Sequence, residues 1–288
     1  MNQNRPSHFL QFGLAIAIMS TSGTLGRYIE LPPPAIIWIR CVIGSIALFL
    51  VMKALKLDLT IGTRKGFWFI VLGGILLGGH WVTYFYALQL STVAIGMLSL
   101  FTYPVITSIL EPIILKTKFQ PFSIVLAIIS LVGVSFLVPE LSLDNSYTVG
   151  ILIGILSAVC YSFRNILLKK QIANQSGMSL MFYQLLVISL LGWPMLWAVD
   201  VSVESISMNW KGLLILGLLT TATGHTLFTF SFKHFTASTV SILSALTPLL
   251  GTLYGYLFLS EVPAGNTFIG GALIFTTVIA ESIRSMRK

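Results

Sequence analysis

Two histidines sit far inside apolar stretches of this sequence. His80 follows Gly79 in a run from residue 66 to 88, and His225 follows Gly224 in a run from 211 to 232. Each is about 14 residues into its run, which at roughly 1.5 Å per helical residue is near the middle of an apolar layer about 30 Å thick. An imidazole at that depth has to be hydrogen-bonded or face a cavity, because an unsatisfied polar group in hydrocarbon costs several kcal/mol. With an unperturbed pKa of about 6.5 it is also an obvious proton carrier near neutral pH. Two readings stay open: satisfied core side chains, or the lining of a solute site.

The neighbours are aromatic and hydroxylic. Trp81, Thr83 and Tyr84 follow the first histidine, and Phe228, Thr229 and Phe230 the second. At helical spacing Tyr84 and Thr229 lie one turn from their histidines on the same face. Phe101 and Tyr103 come before Pro104, and Ser244 and Thr247 before Pro248. Such a lining suits a medium-sized organic solute better than an inorganic ion. Each proline removes a backbone donor and is expected to kink its helix, giving either a hinge or a static bend.

Three charges lie within apolar runs. Arg40 is either a guanidinium snorkelling to the interface or one facing a water-filled cavity, where it would bind substrate. Glu111 and Arg164 stand at similar depths towards one surface, and pairing would satisfy two groups that are costly alone. That pair is expected to be a gate or a structural lock.

These residues need helices across a bilayer to position them. The chain has 288 residues, 56% hydrophobic and 9% charged, with a mean hydropathy of +0.91. That excludes an ordinary water-soluble fold. Ten apolar segments are predicted, at 9–29, 35–55, 66–88, 93–115, 121–139, 147–168, 178–199, 211–232, 237–259 and 265–284. Of the 17 Lys and Arg residues, thirteen then fall on one side and only Arg27 and Lys211 on the other, which orients both termini to the cytoplasm. The same distribution answers the net charge of +8, which otherwise invites a nucleic-acid reading. Cys41 and Cys160 lie within spans, so no disulfide framework is expected. The glycine pairs Gly74 and Gly78, Gly150 and Gly154, and Gly251 and Gly255 have the spacing of close helix packing, which permits a homodimer.

The chain also repeats itself. Gly79, His80 and Phe85 recur at Gly224, His225 and Phe230, an offset of 145, and Pro104 recurs at Pro248, an offset of 144. A polar stretch over residues 140–147 divides the two halves, 1–140 and 147–288. Five spans per half is an odd number, so the second half enters the membrane in the opposite sense. The expected fold is an all-α polytopic membrane protein of ten transmembrane helices in two inverted five-helix repeats, an arrangement that secondary transporters use to alternate access around one midplane site.

Ten spans in two halves, Arg40 in the second span, Pro104 and Pro248 within the fourth and ninth, and Leu259-Ser260-Glu261 closing the ninth resemble the drug/metabolite transporter superfamily, EamA type. The resemblance covers nearly the whole chain. It implies movement of small metabolites across the inner membrane, often the export of amino acids or amines, through a cavity lined by the third, fourth, eighth and ninth spans. It favours His80, Tyr84, Phe101, His225 and Thr247 as substrate contacts, with Trp81, Thr229 and Arg40 beside them. The first half departs from the pattern, with Lys116-Thr117-Lys118 where the second has Leu259-Ser260-Glu261.

No nucleotide-binding loop is present, so ATP is not expected to drive transport directly. No cofactor or metal is expected. The expected partners are a small-molecule substrate and the lipid bilayer. The alternative from another class is a membrane-embedded enzyme acting on a lipid-linked substrate. Such an enzyme needs acids, histidines or a nucleophile clustered near an interface, whereas His80 and His225 lie far from either surface.

Overall fold

The computed structural model describes residues 6–57, 59–60, 63–116, 121–137, 142–171, 175–234, 244 and 246–286. Among them there is no strand, and the helices follow the apolar runs. They are α1 (Pro6–Tyr28), α2 (Pro33–Ala54), α3 (Arg64–Leu90), α4 (Val93–Leu100), α5 (Tyr103–Leu115), α6 (Pro121–Ser135), α7 (Ser146–Gln171) and α8 (Gly177–Gly192). Then come α9 (Val203–Ile215), a π-helical segment (Leu216–Gly224), α10 (His225–His234), α11 (Leu246–Leu259) and α12 (Gly265–Met286). Seven stretches are long and apolar enough to cross a membrane, with α4 and α5 counted as one and α9 through α10 as another. With the shorter α6 and α11 and the C-terminal α12, they fit ten crossings.

Local chemistry sets the helix starts. Thr63, Thr92, Ser176 and Ser202 each accept from a backbone N–H of the first turn of α3, α4, α8 and α9. Pro33 and Pro34 open α2, where a missing N–H is harmless. The cap at Ser202 starts α9 eight residues before the predicted 211, since a capped polar turn continues a helix beyond its apolar run. The predicted span 178–199 ends as α-helix at Gly192 and continues as a 3₁₀ turn over Trp193–Ala198 around Pro194. Part of the predicted 237–259, residues 237–243 and 245, lies outside the described residues.

The fourth span does not merely kink. It breaks at Phe101–Thr102, and Pro104 lies in the first turn of α5. Pro104 lacks the N–H that would bond to the Leu100 carbonyl, and the Thr102 hydroxyl turns back to donate to the Ser99 carbonyl at 2.8 Å. Pro248 lies within the described part of α11.

The glycine pairs do face neighbouring helices. Gly74 and Gly78 meet Val187 and Ile188 of α8, Gly150 and Gly154 meet residues 87–99 of α3 and α4, and Gly251 and Gly255 meet Met97 and Val93 of α4. α3 packs most extensively against α7. The tightest backbone approach joins α6 and α12, where a Cβ on Gly270 would lie 2.5 Å from the Gly133 carbonyl oxygen. At the end where α1 begins, the rings of His8 and His234 stack with centroids 3.8 Å apart.

Since a carbonyl cannot rotate aside as a side chain can, Gly270→Ala is expected to destabilise the protein by about 1–3 kcal/mol. Thermal melts in detergent should show a lowered Tm for Gly270→Ala and none for Gly13→Ala, whose Cβ meets nothing within 4 Å. Equal melting of the two would mean that α6 and α12 are free to separate.

Candidate functional site

The two histidines open onto one buried cavity. Its walls come from α1 (Met19, Ser22), α3 (His80, Trp81, Tyr84), α4 and the break after it (Met97, Leu100, Phe101), α5 (Tyr103), α7 (Tyr161) and α10 (His225, Phe228), with Ser244 and Thr247 closing the remaining side. The cavity is narrow, about 50 Å³. That is room for a water or two and not for an amino acid, so the helices have to separate before a metabolite enters.

His80 is held from α7. Ser157 Oγ lies 2.7 Å from His80 Nδ1 and donates its own proton to the His80 carbonyl at 2.8 Å. A hydroxyl has one proton to give, so the contact at Nδ1 is an N–H from the ring, and the neutral imidazole keeps Nε2 as an acceptor. The ring lies against Tyr161, with centroids 4.4 Å apart, and Tyr84 is nearly parallel at 6.0 Å. The Trp81 ring stands edge-on to His225 with centroids 4.9 Å apart, which joins the two histidine neighbourhoods through one indole.

The expected contacts are largely brought together: His80, Trp81, Tyr84, Phe101, His225 and Thr247 all line the cavity. Thr229 does not. Its hydroxyl donates back to the His225 carbonyl at 2.8 Å and its methyl packs towards Gly177 of α8, because the face one turn past His225 is turned to that helix. Pro104 and Pro248 are buried close to the lining residues Tyr103 and Thr247.

Arg40 does not snorkel: it is fully buried. Its Nε donates to Thr221 Oγ1 of the π-helical segment at 2.7 Å, and the guanidinium carbon lies 4.4 Å from the centre of the Trp81 ring and 5.5 Å from that of Phe85. Cation–π contact with the indole holds it behind the wall of the cavity. Nη1 and Nη2 have no hydrogen-bond partner among the described residues.

Glu111 and Arg164 do not pair. Glu111 accepts from Lys169 at 2.5 Å, while Arg164, 2% exposed, donates from Nε and Nη2 to Gln184 Oε1 at 3.1 and 2.8 Å and from Nη1 to Asn165 Oδ1 at 3.2 Å. Lys169 lies five residues beyond Arg164, roughly 7.5 Å further along α7, where a long ammonium arm reaches Glu111 without leaving water.

Sequence reasoning missed Ser157 and Tyr161. With Arg164 they form an i, i+4, i+7 polar stripe on α7, which was a usable signal. It also missed an ion pair at the opposite end from Lys169. Arg27 Nε donates to Glu261 Oε1 at 3.1 Å, Arg27 Nη1 donates to the Gln89 carbonyl at 2.6 Å, and Glu261 Oε2 accepts from the Val93 N–H at 2.8 Å. This cluster ties the ends of α1, α3, α4 and α11 about a turn beyond Ser22, Tyr84 and Met97.

Comparison with known proteins places these features in context. The chain matches the EamA-like transporter family over residues 9–138 and 148–281. It is 27% identical over 252 residues to the pseudopaline exporter CntI of Pseudomonas aeruginosa strain UCBPP-PA14, covering 88% of this chain and 87% of that protein. It is 22% identical over 245 residues to the uncharacterized transporter YwfM of Bacillus subtilis, covering 84% and 82% of the two chains. A solved crystal structure superposes with a TM-score of 0.69 at 19% identity over 99% of both chains, which shows a shared fold.

If the Arg27–Glu261 cluster closes its end of the bundle, removing the carboxylate should admit reagents. With Cys41 and Cys160 replaced by alanine, a Ser22→Cys reporter is expected to react with a hydrophilic maleimide about tenfold faster once Glu261 is changed to alanine, which removes the contacts to both Arg27 and the Val93 N–H. An unchanged rate would mean that other contacts hold this end shut.

Proposed function

This chain belongs to the EamA-like transporter family, and from that premise we propose that it is a secondary transporter that exports small organic metabolites by alternating access. It is a multi-pass membrane protein, and its relatives are transporters. The single observation that carries the mechanism is the cavity between α3, α4, α7 and α10, too narrow at about 50 Å³ for a metabolite and flanked by an ion pair towards each end of the bundle. A site that has to open, with a breakable polar contact on either side, is what alternating access requires.

In this reading the two halves, 1–140 and 147–288, are inverted repeats. Support comes from the recurrence of the Gly-His-Phe pattern and from the two separate family matches. The excess of Lys and Arg on one side supports cytoplasmic termini. His80, Trp81, Tyr84, Phe101, His225 and Thr247 contact the solute. Arg27–Glu261 is the gate facing away from the cytoplasm, and Glu111–Lys169 is the gate facing it. The break before Pro104 and the proline at Pro248 are the bending points. The similarity to an exporter of pseudopaline favours export.

Purified protein in liposomes, loaded in turn with amino acids, organic acids, amines and nucleosides, tests this. At least one solute is expected to leave protein-containing vesicles faster than empty ones, and His80→Ala or Trp81→Ala to slow it by about tenfold or more, the loss of a polar or aromatic contact made to the moving solute. Flux of no solute, or flux indifferent to both changes, would overturn the proposal.

A further inference from the structure

We infer that the solute is an organic anion whose carboxylate is received by the terminal nitrogens of Arg40, an inference that rests on the transporter reading above. Arg40 and Arg164 bring two guanidinium charges into the middle of the bundle, 0% and 2% exposed. Among the residues whose side chains the structure describes, no carboxylate answers them. Glu111 and Glu261 are engaged at the ends of the bundle, and Glu30, Asp144, Asp200 and Glu204 are exposed. The two cations differ in how they are satisfied. Arg164 makes three hydrogen bonds to the neutral acceptors Gln184 and Asn165, which fill its fork. Arg40 uses Nε alone, and Nη1 and Nη2 are buried without a partner.

A guanidinium fixed for structural reasons is costly to leave this way, since it carries five donors and a full charge. The unfilled pair of nitrogens has the parallel, planar geometry that a carboxylate completes with two N–H···O bonds. The position suits a solute. The guanidinium stands behind Trp81, and Trp81, His225 and His80 border the cavity. As the cavity widens to admit a metabolite, movement of the Trp81 indole uncovers the cation. The two guanidiniums, buried in the middle of the bundle, set up a positive field there. That field repels an amine and attracts an anion. Trp81, Tyr84, Phe101 and Tyr161 receive the apolar body of the solute, and His80 Nε2 accepts one of its N–H or O–H groups.

Thermal stabilisation of the purified full-length protein in detergent, with benzoate, succinate and citrate set against phenethylamine, putrescine and uridine at equal ionic strength, tests the inference. A ligand that binds the folded state raises Tm by mass action. At least one of the three carboxylates is expected to raise the Tm of the wild type, and the two amines are expected to leave it unchanged. Arg40→Gln is expected to weaken the carboxylate response by about tenfold or more, and its Tm without ligand is expected to equal or exceed that of the wild type, because an unpaired buried charge has been removed. Three results overturn the inference: no response to any of the carboxylates, a response to amines or uridine alone, or an equal carboxylate response in Arg40→Gln. The wild-type comparison stands without the variant, should it not fold. Liposome flux separates the two proposals. If putrescine or uridine crosses while carboxylates neither bind nor move, transport stands and the anion site falls. If carboxylates bind through Arg40 and no solute crosses, the anion site stands and transport falls.

Discussion

Hydrocarbon offers a buried guanidinium nothing to bond to, so whatever surrounds Arg40 has to be supplied by the chain itself. Three helices answer it. Arg40 comes from α2, the hydroxyl that accepts its Nε from the π-helical segment, and the indole beneath it from α3. The same indole meets His225 edge-on, so the position of the cation is tied to that of the histidine in the other half of the chain. A cation with one directional bond and one aromatic face fixes how these helices meet, and the cavity forms beside that junction.

Much of the fold was legible because a membrane imposes a simple rule. Every crossing must be a long apolar helix, so hydropathy and the distribution of charge give the number and order of spans before any packing is known. The rule fails where a helix is not apolar or not regular. The first turns of α9 are polar and are set by the cap at Ser202, which hydropathy does not register. Pro104 foretold a disturbance in the fourth span, but the full break at Phe101–Thr102, with the Thr102 hydroxyl turned back to the Ser99 carbonyl, is local geometry that composition does not reveal.

The site was legible on one side only. Repetition and helical spacing picked out His80, Trp81, Tyr84, His225 and Thr247, and all line the cavity. What holds them comes from other helices. Ser157 fixes the His80 ring from a position 77 residues away, and Gln184 claims Arg164 from a position 20 residues away. Charge matching in one dimension assigned Glu111 to Arg164 because both lie at similar depth. In three dimensions the deeper cation takes neutral acceptors, and the acid takes the shallower Lys169, since an ion pair costs less where water still reaches it. Thr229 failed for the converse reason: it shares a face with His225, but that face turns to α8 one helical step beyond the cavity.

The places where the backbone leaves α geometry explain how the two halves make one wall from unlike parts. In the first half the helix stops at Phe101, which lines the cavity, and restarts at Tyr103, which also lines it. In the second half the chain widens over Leu216–Gly224 and delivers His225 at its end. The His225 N–H bonds to the Thr220 carbonyl, five residues back, and the hydroxyls of Thr221 and Thr223 likewise reach carbonyls five residues earlier. Each residue of an α-helix advances about 100° around its axis, so taking one extra residue into a turn rotates everything after it by roughly that angle. Had Leu216–Gly224 been plain α-helix, His225 would face away from Trp81. The same wide turn holds Thr221 where it accepts from Arg40, so the segment that aims the second histidine also seats the cation. Irregular backbone is tolerated at this depth where it is buried in protein or lines a cavity. The break at Phe101 lines the cavity itself, whereas the π-helical segment only ends at it with His225, its Leu218, Leu219 and Thr223 being exposed on the outside of the bundle.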